Sequence, residues 1–374
     1  MWSRVRIWKS IAAGAVVIAV LCVCASAQTT LSRKIDLPKD SPVVVVSSDW
    51  GDSNATIRGG AYFVDVHAGL TLRNLSQRRV RGITLAVLAQ EVTPGGKGAV
   101  SQPSLDVAPG ESFSLRIDMP LLRPLSGGQS GPAVEVRLDG VLFDDLTFYG
   151  PDKLHSQRTL TVWELEARRD RKYFKTLLET AGREGLQREM LASLTRQGDR
   201  LQPGVQMVRG RATNTDPDRE VQFAFLQMPE SPVEALEGTA RVAGNEARAP
   251  RFEVRNRSAK PVRYLEIGWI VKDQQGREFV AASMPADVSL APNQSSPVVE
   301  EAALRFPERL TIQSMAGFVS SVEFADGSYW IPSRGALDTP RLRDLVAPSP
   351  EEQRLTQIYR KKGLPALVEE LKKF

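Results

Sequence analysis

Apolar and polar residues alternate along two separate stretches of the chain. In each stretch the apolar side chains fall at every second position, both before and after a short polar segment. A period of two turns one face of a strand toward a core and the other toward water. The pattern therefore predicts half-buried antiparallel strands in both stretches. The alternating apolar positions are Leu70, Leu72, Ile83, Leu85 and Val87 in the first stretch, and Phe252, Val254, Leu265, Ile267 and Trp269 in the second.

Three segments of the first stretch recur, in the same order, in the second. The first pair shares an Arg-Asn-x-Ser sequence, the second an Ala-Pro sequence, and the third an aromatic pair that follows an aspartate. Their offsets are 182, 183 and 181 residues. Three matches in one order at nearly one offset indicate a tandem duplication. The matched segments are 72–81 with 254–263, 107–112 with 290–295, and 141–149 with 322–330.

Each matched segment contains residues that favour turns. Asn and Ser side chains bond to nearby backbone groups, so the Arg-Asn-x-Ser sequence is typical of a turn between strands. Proline followed by glycine or asparagine marks a second turn. Asp326 and Gly327, between two alternating runs, predict a hairpin. Asp144 and Asp145 occupy the same place in the first copy with a weaker turn sequence.

Short strands separated by such turns favour a β-sandwich. The Asn-x-Ser turn, the Ala-Pro turn and the aromatic final hairpin resemble bacterial immunoglobulin-like or fibronectin-type-III-like modules, and are most similar to the small secreted modules called FxLYD. The resemblance covers about 85 residues of each copy and lacks the Cys–Trp–Cys arrangement of true immunoglobulin domains. It implies adhesion, scaffold or binding modules without catalysis, and it does not identify a ligand.

The hydrophobic period changes to that of an amphipathic helix in two other regions. Residues 160–197 carry apolar side chains at i, i+4 and i+7, and a serine, a proline and two glutamates at 349–352 are typical of the start of a second helix. We expect Gly182 and Gly185 to break the first helix and Gly363 to break the second. The predicted fold is mainly β with α additions: two tandem immunoglobulin-like antiparallel β-sandwiches, each followed by a short helical hairpin.

The first 27 residues have the three parts of an export signal: a basic start, an apolar run at 11–24, and Ala-Ser-Ala before Gln28. An uncleaved membrane anchor is the alternative, although its apolar run falls short of the roughly 20 residues that span a bilayer. Cleavage would remove both cysteines, Cys22 and Cys24. It would also lower the net charge from +5 to +2, so the basic total does not indicate a nucleic-acid partner.

The mature chain is poor in residues that carry common enzyme chemistry. It has no cysteine and only two histidines, His67 and His155, and no phosphate-binding loop, dinucleotide fingerprint or zinc motif appears. We therefore predict no catalytic residue, no cofactor and no metal-binding residue. A secreted hydrolase with an unrecognised pair of carboxylates remains the alternative.

Two groups of polar residues and two aromatic residues are candidates for binding. Carboxylate and amide oxygens suit calcium, although turns between strands account equally well for these groups. The calcium candidates are Asp49, Asp52 and Asn54, and Asn214, Asp216 and Asp218. Tyr149 and Trp330 end the two matched hairpins and could stack on a peptide or glycan. Alternation in a strand predicts that one aromatic of each pair, Phe148/Tyr149 and Tyr329/Trp330, is core and the other exposed.

These patterns divide the chain and assign it a role. We expect a binding or scaffold protein of the cell envelope, periplasmic or extracellular, with a protein partner that the sequence does not identify. The basic C-terminal helix alternates with acids, so we expect no membrane contact beyond the N-terminal segment. A membrane-tethered envelope assembly component is the remaining alternative. The predicted parts are a signal peptide at 1–27, a first sandwich at 28–154, a helical linker at 155–200, a second sandwich at 201–334 and a helical segment at 335–374.

Overall fold

The structure, a computed structural model, describes residues 31–125, 133–200, 205–208, 217–299, 302–307 and 310–374. The predicted export signal at 1–27, with its two cysteines, lies outside these residues. The protein is mainly β with several sheets and few helices, as the alternating pattern predicted. No helix in the described ranges combines the length and apolar character needed to cross a membrane.

Nine strands make up the first half of the chain and ten the second, within the described residues. The first nine are β1 (Ser32–Asp36), β2 (Val43–Asp49), β3 (Asn54–Arg58), β4 (Ala61–Asn74), β5 (Val80–Leu88), β6 (Lys97–Gln102), β7 (Ser112–Pro124), β8 (Ala133–Phe143) and β9 (Phe148–Tyr149). The others are β10 (Gln206–Val208), β11 (Arg219–Leu226), β12 (Val233–Ala243), β13 (Glu246–Asn256), β14 (Val262–Asp273), β15 (Glu278–Leu290), β16 (Ser295–Val299), β17 (Ala303–Arg305), β18 (Ile312–Phe324) and β19 (Tyr329–Trp330). The helices are α1 (Ser156–Asp199), α2 (Arg334–Leu337), α3 (Pro340–Leu345) and α4 (Pro350–Leu371).

The strands of the first half form two sheets. One has the order β1-β8-β5-β6, with β1 parallel to β8 and β9 also paired to β8. The other has the order β2-β4-β3, and β7 pairs with β4 along nearly its whole length. The chain crosses from one sheet to the other between β4 and β5, at the predicted Asn-x-Ser turn.

The second half pairs its strands in the same scheme. β11 runs parallel to β18, the order continues through β14 to β15, and β19 pairs with β18. β12 pairs with β13, which also pairs with β16 and β17. Because β11 pairs with both β18 and β12, all these strands, with β10, form one ten-stranded sheet.

The register of the matched strands agrees at their ends. Val43 lies opposite Asn74 between β2 and β4, and Val233 lies opposite Asn256 between β12 and β13. Val43 and Asn74 are 31 positions apart in the sequence, whereas Val233 and Asn256 are 23 apart. The first half is therefore eight residues longer at this point. The extra length forms the β3 hairpin, which pairs with the beginning of β4.

Each half has its own apolar core. All ten alternating positions that predicted strands are buried. The first core is mostly aliphatic, whereas the second centres on Trp269, whose ring lies edge-on to Phe223 with centroids 4.9 Å apart. In β5 the alternation breaks down because α1 covers the outer face of the sheet: Leu160 lies directly over Gly82, where a side chain would collide with it.

The helices differ from the predicted short hairpins. α1 is one long helix with a kink at Gly182 (φ 66°, ψ −168°), and α4 has a kink at Gly363 (φ 79°, ψ 177°). Both breaks were predicted, because this backbone conformation is essentially restricted to glycine. The break predicted at Gly185 was wrong: that residue is buried inside the second arm of α1. The two short helices α2 and α3 were not predicted.

Candidate functional site

Asn74, at the end of β4, is a fully buried amide at the crossing between the two sheets of the first half. Its Nδ2 donates to the backbone carbonyls of Arg78 (2.8 Å) and Val107 (3.1 Å). Its Oδ1 accepts from the backbone N–H (2.9 Å) and the hydroxyl (2.7 Å) of Ser76. Both ends of the amide are thus satisfied, as burial of a polar group requires.

Asn256 forms the same network in the second half. Its Nδ2 donates to the carbonyls of Lys260 (2.8 Å) and Leu290 (3.1 Å), and its Oδ1 accepts from the N–H (2.9 Å) and hydroxyl (2.7 Å) of Ser258. These four distances equal those in the first half. The sequence predicted turns at both asparagines but not that their side chains are buried.

The aromatic hairpins also match. Asp145 accepts from Arg78 (3.2 Å) in the first half, and Asp326 accepts from Lys260 (2.7 Å) in the second. The hydroxyl of Thr147 is the main cause that lowers the pKa of Asp145 to about 2, and Lys260 holds the pKa of Asp326 well below its usual range. Both ion pairs are about half exposed and contribute little to stability.

α1 and α4 pack against each other through one apolar cluster. Corresponding positions of this cluster lie 181 residues apart, the offset already found for the hairpins, and the kinks at Gly182 and Gly363 share that offset. The second half therefore resembles the first in its helix as well as in its strands. The buried pairs at this offset are Phe174 with Leu355, Leu186 with Leu367, and Met190 with Leu371.

Contacts across the helix pair are reciprocal. The Ser193 hydroxyl donates to Glu352 at 2.6 Å. The positions at the same offset are Phe374 and Arg171, and the Phe374 ring lies 4.3 Å from the guanidinium carbon of Arg171. A contact that recurs with the roles of its two elements exchanged indicates an approximate two-fold relation between α1 and α4.

On one side of this two-fold relation the charges are closely paired. Arg354 donates two hydrogen bonds to Glu351 (2.8 and 2.9 Å) and a third to Glu370 (2.6 Å). Burial opposes the guanidinium charge, but the two carboxylates outweigh burial and raise the pKa of Arg354. This side is a compact three-residue ion-pair network.

On the other side the corresponding carboxylates are Asp170 and Glu189, and Arg334 takes the central place. Arg334 lies 3.5 Å from Asp170 and 3.8 Å from Glu189, pairs with Glu352 at 2.5 Å, and sits 4.8 Å from the ring of Tyr173. Arg334 comes from α2 rather than from α4. Both sides therefore place an arginine between two corresponding carboxylates, but the distances to those carboxylates are longer around Arg334 than around Arg354.

A cleft lies beside Arg334 because the segment that precedes α4 is not one continuous helix. α1 is continuous from Ser156 to its kink at Gly182, whereas residues 337–349, which correspond to 156–168, form the end of α2, then α3 and an extended link. Prolines 340 and 348 interrupt this segment and Pro350 begins α4, since proline cannot continue a helix from within. A small cleft, open to solvent, lies between this segment and the last turns of α1.

Five arginines line this cleft together with an apolar wall. Four of them pair with carboxylates of this chain. Those pairs are Arg169 with Asp170 (2.9 Å), Arg196 with Glu189 (2.8 Å), Arg334 with Glu352 (2.5 Å) and Arg343 with Asp338 (2.8 Å). The apolar wall includes Leu337, Leu342, Val346 and Pro348.

The fifth arginine, Arg200, follows directly after α1. Its Nη1 is buried and has no hydrogen-bond partner among the described residues. Burial lowers the pKa of this guanidinium. A buried donor without an acceptor costs about 1–3 kcal/mol. The cleft therefore contains one unsatisfied cationic donor, which the sequence analysis did not single out.

The aromatic candidates do not divide into one core and one exposed residue. Phe148, Tyr149, Tyr329 and Trp330 are all half-buried. Tyr149 packs on the first core, and Trp330 packs on the second core and on the cluster beneath α2 and α3. Tyr329 donates to Glu323 at 2.7 Å. The correction arises because the helices that follow each hairpin cover its outer face. A binding role for Tyr149 and Trp330 stays a prediction.

The calcium candidates are engaged in turns where the structure describes them. Asp49 accepts from the backbone N–H of Gly51 (2.9 Å), the amide of Asn54 donates to the carbonyl of Asp52 (3.0 Å), and Asp218 pairs with an arginine. Asn214 and Asp216 lie outside the described residues. Within those residues no group of three or more histidines, cysteines or acids is placed to hold a metal ion.

The two histidines lie apart from one another. His67 lies between Asp118 (3.0 Å) and Asp65 (3.3 Å), and the hydrogen bond to Asp118 is the main cause that raises the pKa of His67. His155 immediately precedes α1 and has a left-handed backbone (φ 54°). The structure therefore does not bring the two histidines into one group.

A pair of carboxylates lies between α1 and the second half. Burial is the main cause that raises the pKa of Glu166 to about 7, and the nearby charges of Asp170 and Glu266 add to it. Burial also raises the pKa of Glu266, which accepts from Ser321 at 3.4 Å. The hydrolase alternative requires such a pair, and the sequence offered no signal for it because the two residues are 100 positions apart.

The comparisons with known proteins place the chain in no family. No protein-family model matches it, and no curated protein matches it. Similar solved structures include two crystal structures of a β-glucosidase from Kluyveromyces marxianus, one Se-Met labelled and one in complex with glucose, both at 9% identity and a TM-score of 0.16. They cover 70% and 72% of this chain, which spans less than half of theirs (45% and 46%). A likeness at that TM-score supports no conclusion about fold or activity.

Proposed function

We propose that the chain is an exported, non-catalytic binding or scaffold protein of the cell envelope that acts through two tandem immunoglobulin-like modules. The observation that supports this most directly is the pair of matched networks around Asn74 and Asn256, with the same strand pairing on either side. Repeated modules of this kind carry function on their surfaces and loops rather than in a single conserved reactive centre.

In this proposal α1 fixes the orientation of the two modules. It contacts the first half where Ser156 donates to Asp139 (2.6 Å) and the second where Arg158 donates to Glu323 (2.7 Å). Arg158 also lies 3.5 Å from the ring of Tyr264. A partner that touches both modules would then meet a preorganised surface and lose less conformational freedom on binding.

Site-specific photo-crosslinking in the native envelope tests this role. A photoreactive residue at Val92 would probe the first module and one at Val299 the second, since both are well exposed. We expect one protein, in equal amount with the chain, to be captured from both positions, and not from the exposed helix residue Arg183. A soluble monomer of the processed chain that turns over a substrate would contradict the proposal.

The start of the mature protein separates the exported form from the tethered one. Our proposal expects N-terminal sequencing of the native protein to begin at Gln28. Retention of residues 1–27 would favour a membrane-tethered assembly component instead. The hydrolase alternative rests on Glu166 and Glu266, and it would be supported only if Glu166→Gln abolished a measured hydrolytic activity without unfolding the chain.

A further inference from the structure

The cleft between α1 and the α2–α3 segment has one cation that this chain does not neutralise. The other four arginines of the cleft are paired with carboxylates at 2.9 Å or less. The guanidinium of Arg200 forms no ion pair within the described residues, and its buried Nη1 lacks an acceptor. Buried polar groups in native proteins are almost always satisfied, so a ligand that supplies an anionic oxygen at this point is expected.

The surroundings of Arg200 restrict the charge of that ligand. Because its four neighbouring arginines are already paired, the cleft has little attraction left for a polyanion. Asp344 lines the cleft as an exposed, unpaired carboxylate in the described part of the chain and repels a second negative charge. These charges favour an anion with a single negative charge over a phosphate or sulfate dianion.

The apolar wall restricts the ligand further. Leu337, Leu342 and Val346 face the cleft from the α2–α3 segment. Recognition sites commonly combine a few fixed polar groups with apolar walls. The C-terminal residue of a peptide presents a carboxylate and an apolar side chain on the same carbon atom, which matches a guanidinium beside an apolar wall.

We propose that this cleft binds the C-terminal residue of a polypeptide, with its carboxylate on Arg200 and its apolar side chain against the half-buried Leu337 and Val346. Binding would supply the acceptor that Nη1 lacks and would remove apolar surface from water. It requires only the cleft and not the two-module role proposed above, so either can fail without the other.

Calorimetric titration of the full processed chain with a short peptide tests this site. The probe is N-acetyl-Ala-Ala-Leu with a free carboxylate, and its C-terminal amide is the comparison. We expect the acid to bind and the amide to bind at least about ten-fold more weakly, because the amide removes the charge-assisted hydrogen bond. Equal affinities for acid and amide, or no binding of either at millimolar concentration, would overturn the proposal.

Substitutions at Arg200 connect the binding to this residue. Arg200→Gln should weaken binding of the acid at least about ten-fold, and Arg200→Lys should restore part of it because the charge remains without the planar fork. Arg188→Gln, at an exposed arginine of α1, is the matched control and should bind as the wild type does. An unchanged affinity in Arg200→Gln would place the peptide elsewhere.

Two further measurements test whether Arg200 lacks an acceptor in the free protein and whether the cleft prefers a dianion. The thermal midpoint of Arg200→Gln without peptide should equal or exceed that of the wild type, since the variant removes an unsatisfied buried donor. A lower midpoint would show that Arg200 is satisfied within the protein and would contradict the proposal. Inorganic phosphate should compete weakly with the peptide, whereas phosphate that binds more tightly than the peptide would assign the cleft to a dianion instead.

Discussion

The two sides of the helix pair carry corresponding carboxylates but end in different structures. Around Arg354 the guanidinium is held by three hydrogen bonds of 2.6–2.9 Å, and the site is closed. Around Arg334 the distances to the corresponding carboxylates lengthen to 3.5 and 3.8 Å, and a cleft lies beside it. The difference follows from prolines in residues 337–349, which replace the first turns of a helix by two short ones.

The comparison shows how a repeated unit can acquire a distinct site without insertion. The offset of 181 residues holds from the hairpins to the helix kinks, so the segment in between has the same length in both halves. Only its conformation differs. In the first half the start of α1 buries Leu160 against β5, whereas the corresponding segment of the second half forms one wall of a cleft open to solvent.

The largest expected effects test whether both helices contribute equally to their shared core. Phe174→Ala should lower the free energy of unfolding by about 3–5 kcal/mol and Leu355→Ala by about 2–5 kcal/mol, because each leaves a cavity at a fully buried position. Urea denaturation would measure both. Leu191→Ala, on the same helix but half exposed, should change the free energy by well under about 1 kcal/mol. A large loss in only one of the core variants would contradict the reciprocal packing.

Next in size are the two buried asparagines. Asn74→Ala and Asn256→Ala should each cost about 3 kcal/mol, since each removes at least four hydrogen bonds formed by a fully buried amide. The two values should agree, because the two networks have the same distances. Asn54→Ala, which loses a single bond in an exposed turn, is the control. Denaturation followed by tryptophan fluorescence, in variants that keep only Trp50 or only Trp269, would show whether the second half alone responds to Asn256→Ala.

A pH-dependent effect should distinguish the first helix from the second, since the position that corresponds to Glu166 is Ala347. The folded-state pKa of Glu166, about 7, lies above its ordinary value of 4.5, so the folded state binds a proton more tightly than the unfolded state. The contribution of Glu166 to the free energy of unfolding should therefore be largest below pH 4.5 and decrease by about 2–3 kcal/mol as the pH rises to 7. In Glu166→Gln the free energy of unfolding, measured across this pH range, should depend less on pH. An unchanged slope would mean that Glu166 stays charged in the folded protein.

The smallest effects concern the kinks. Gly182→Ala and Gly363→Ala should each destabilise the protein by about 1–2 kcal/mol, because alanine disfavours positive φ with extended ψ. Steric collision does not contribute: a side chain at Gly182 would meet nothing within 4 Å, and one at Gly363 only Pro365 at 3.7 Å. Gly198→Ala, in regular helix, should instead stabilise by about 0.5–1 kcal/mol. Thermal midpoints would rank the three, and equal behaviour at both kinks is expected.

Local patterns predicted what depends on local chemistry. The alternating apolar positions, the turns at Asn74 and Asn256, and the kinks at Gly182 and Gly363 follow from residues close together in sequence. The strands β2 and β12 were missed, although Ser41 and Ser231, just before them, each precede a proline and donate to the carbonyl two residues on, at 2.8 and 2.6 Å. Ser41 and Ser231 are 190 positions apart rather than 182, because the β3 hairpin lengthens the first half. A comparison of the two halves at an offset of 182 therefore does not align these two serines.

The candidate site depends on contacts that no local pattern contains. Arg334 meets Asp170 across 164 positions, and Ser349 donates to the same carboxylate (2.6 Å) across 179. Sequence reasoning identified the serine, the proline and the glutamates at 349–352 as a helix start but could not place them against α1. For the same reason the sequence did not distinguish Arg200 from other charged residues near helix ends. Only the structure shows that its Nη1 has no hydrogen-bond acceptor within the described residues.

The exchanged roles of Ser193 with Glu352 and of Phe374 with Arg171 have a consequence for assembly. A surface of this kind is self-complementary, so two chains that traded their final helices would rebuild it without any new contact. What favours pairing within one polypeptide is tethering, because the two helices belong to one chain and their association is intramolecular. The length of chain between the halves, more than the chemistry of the helices, therefore governs the choice between a closed monomer and an interlocked dimer.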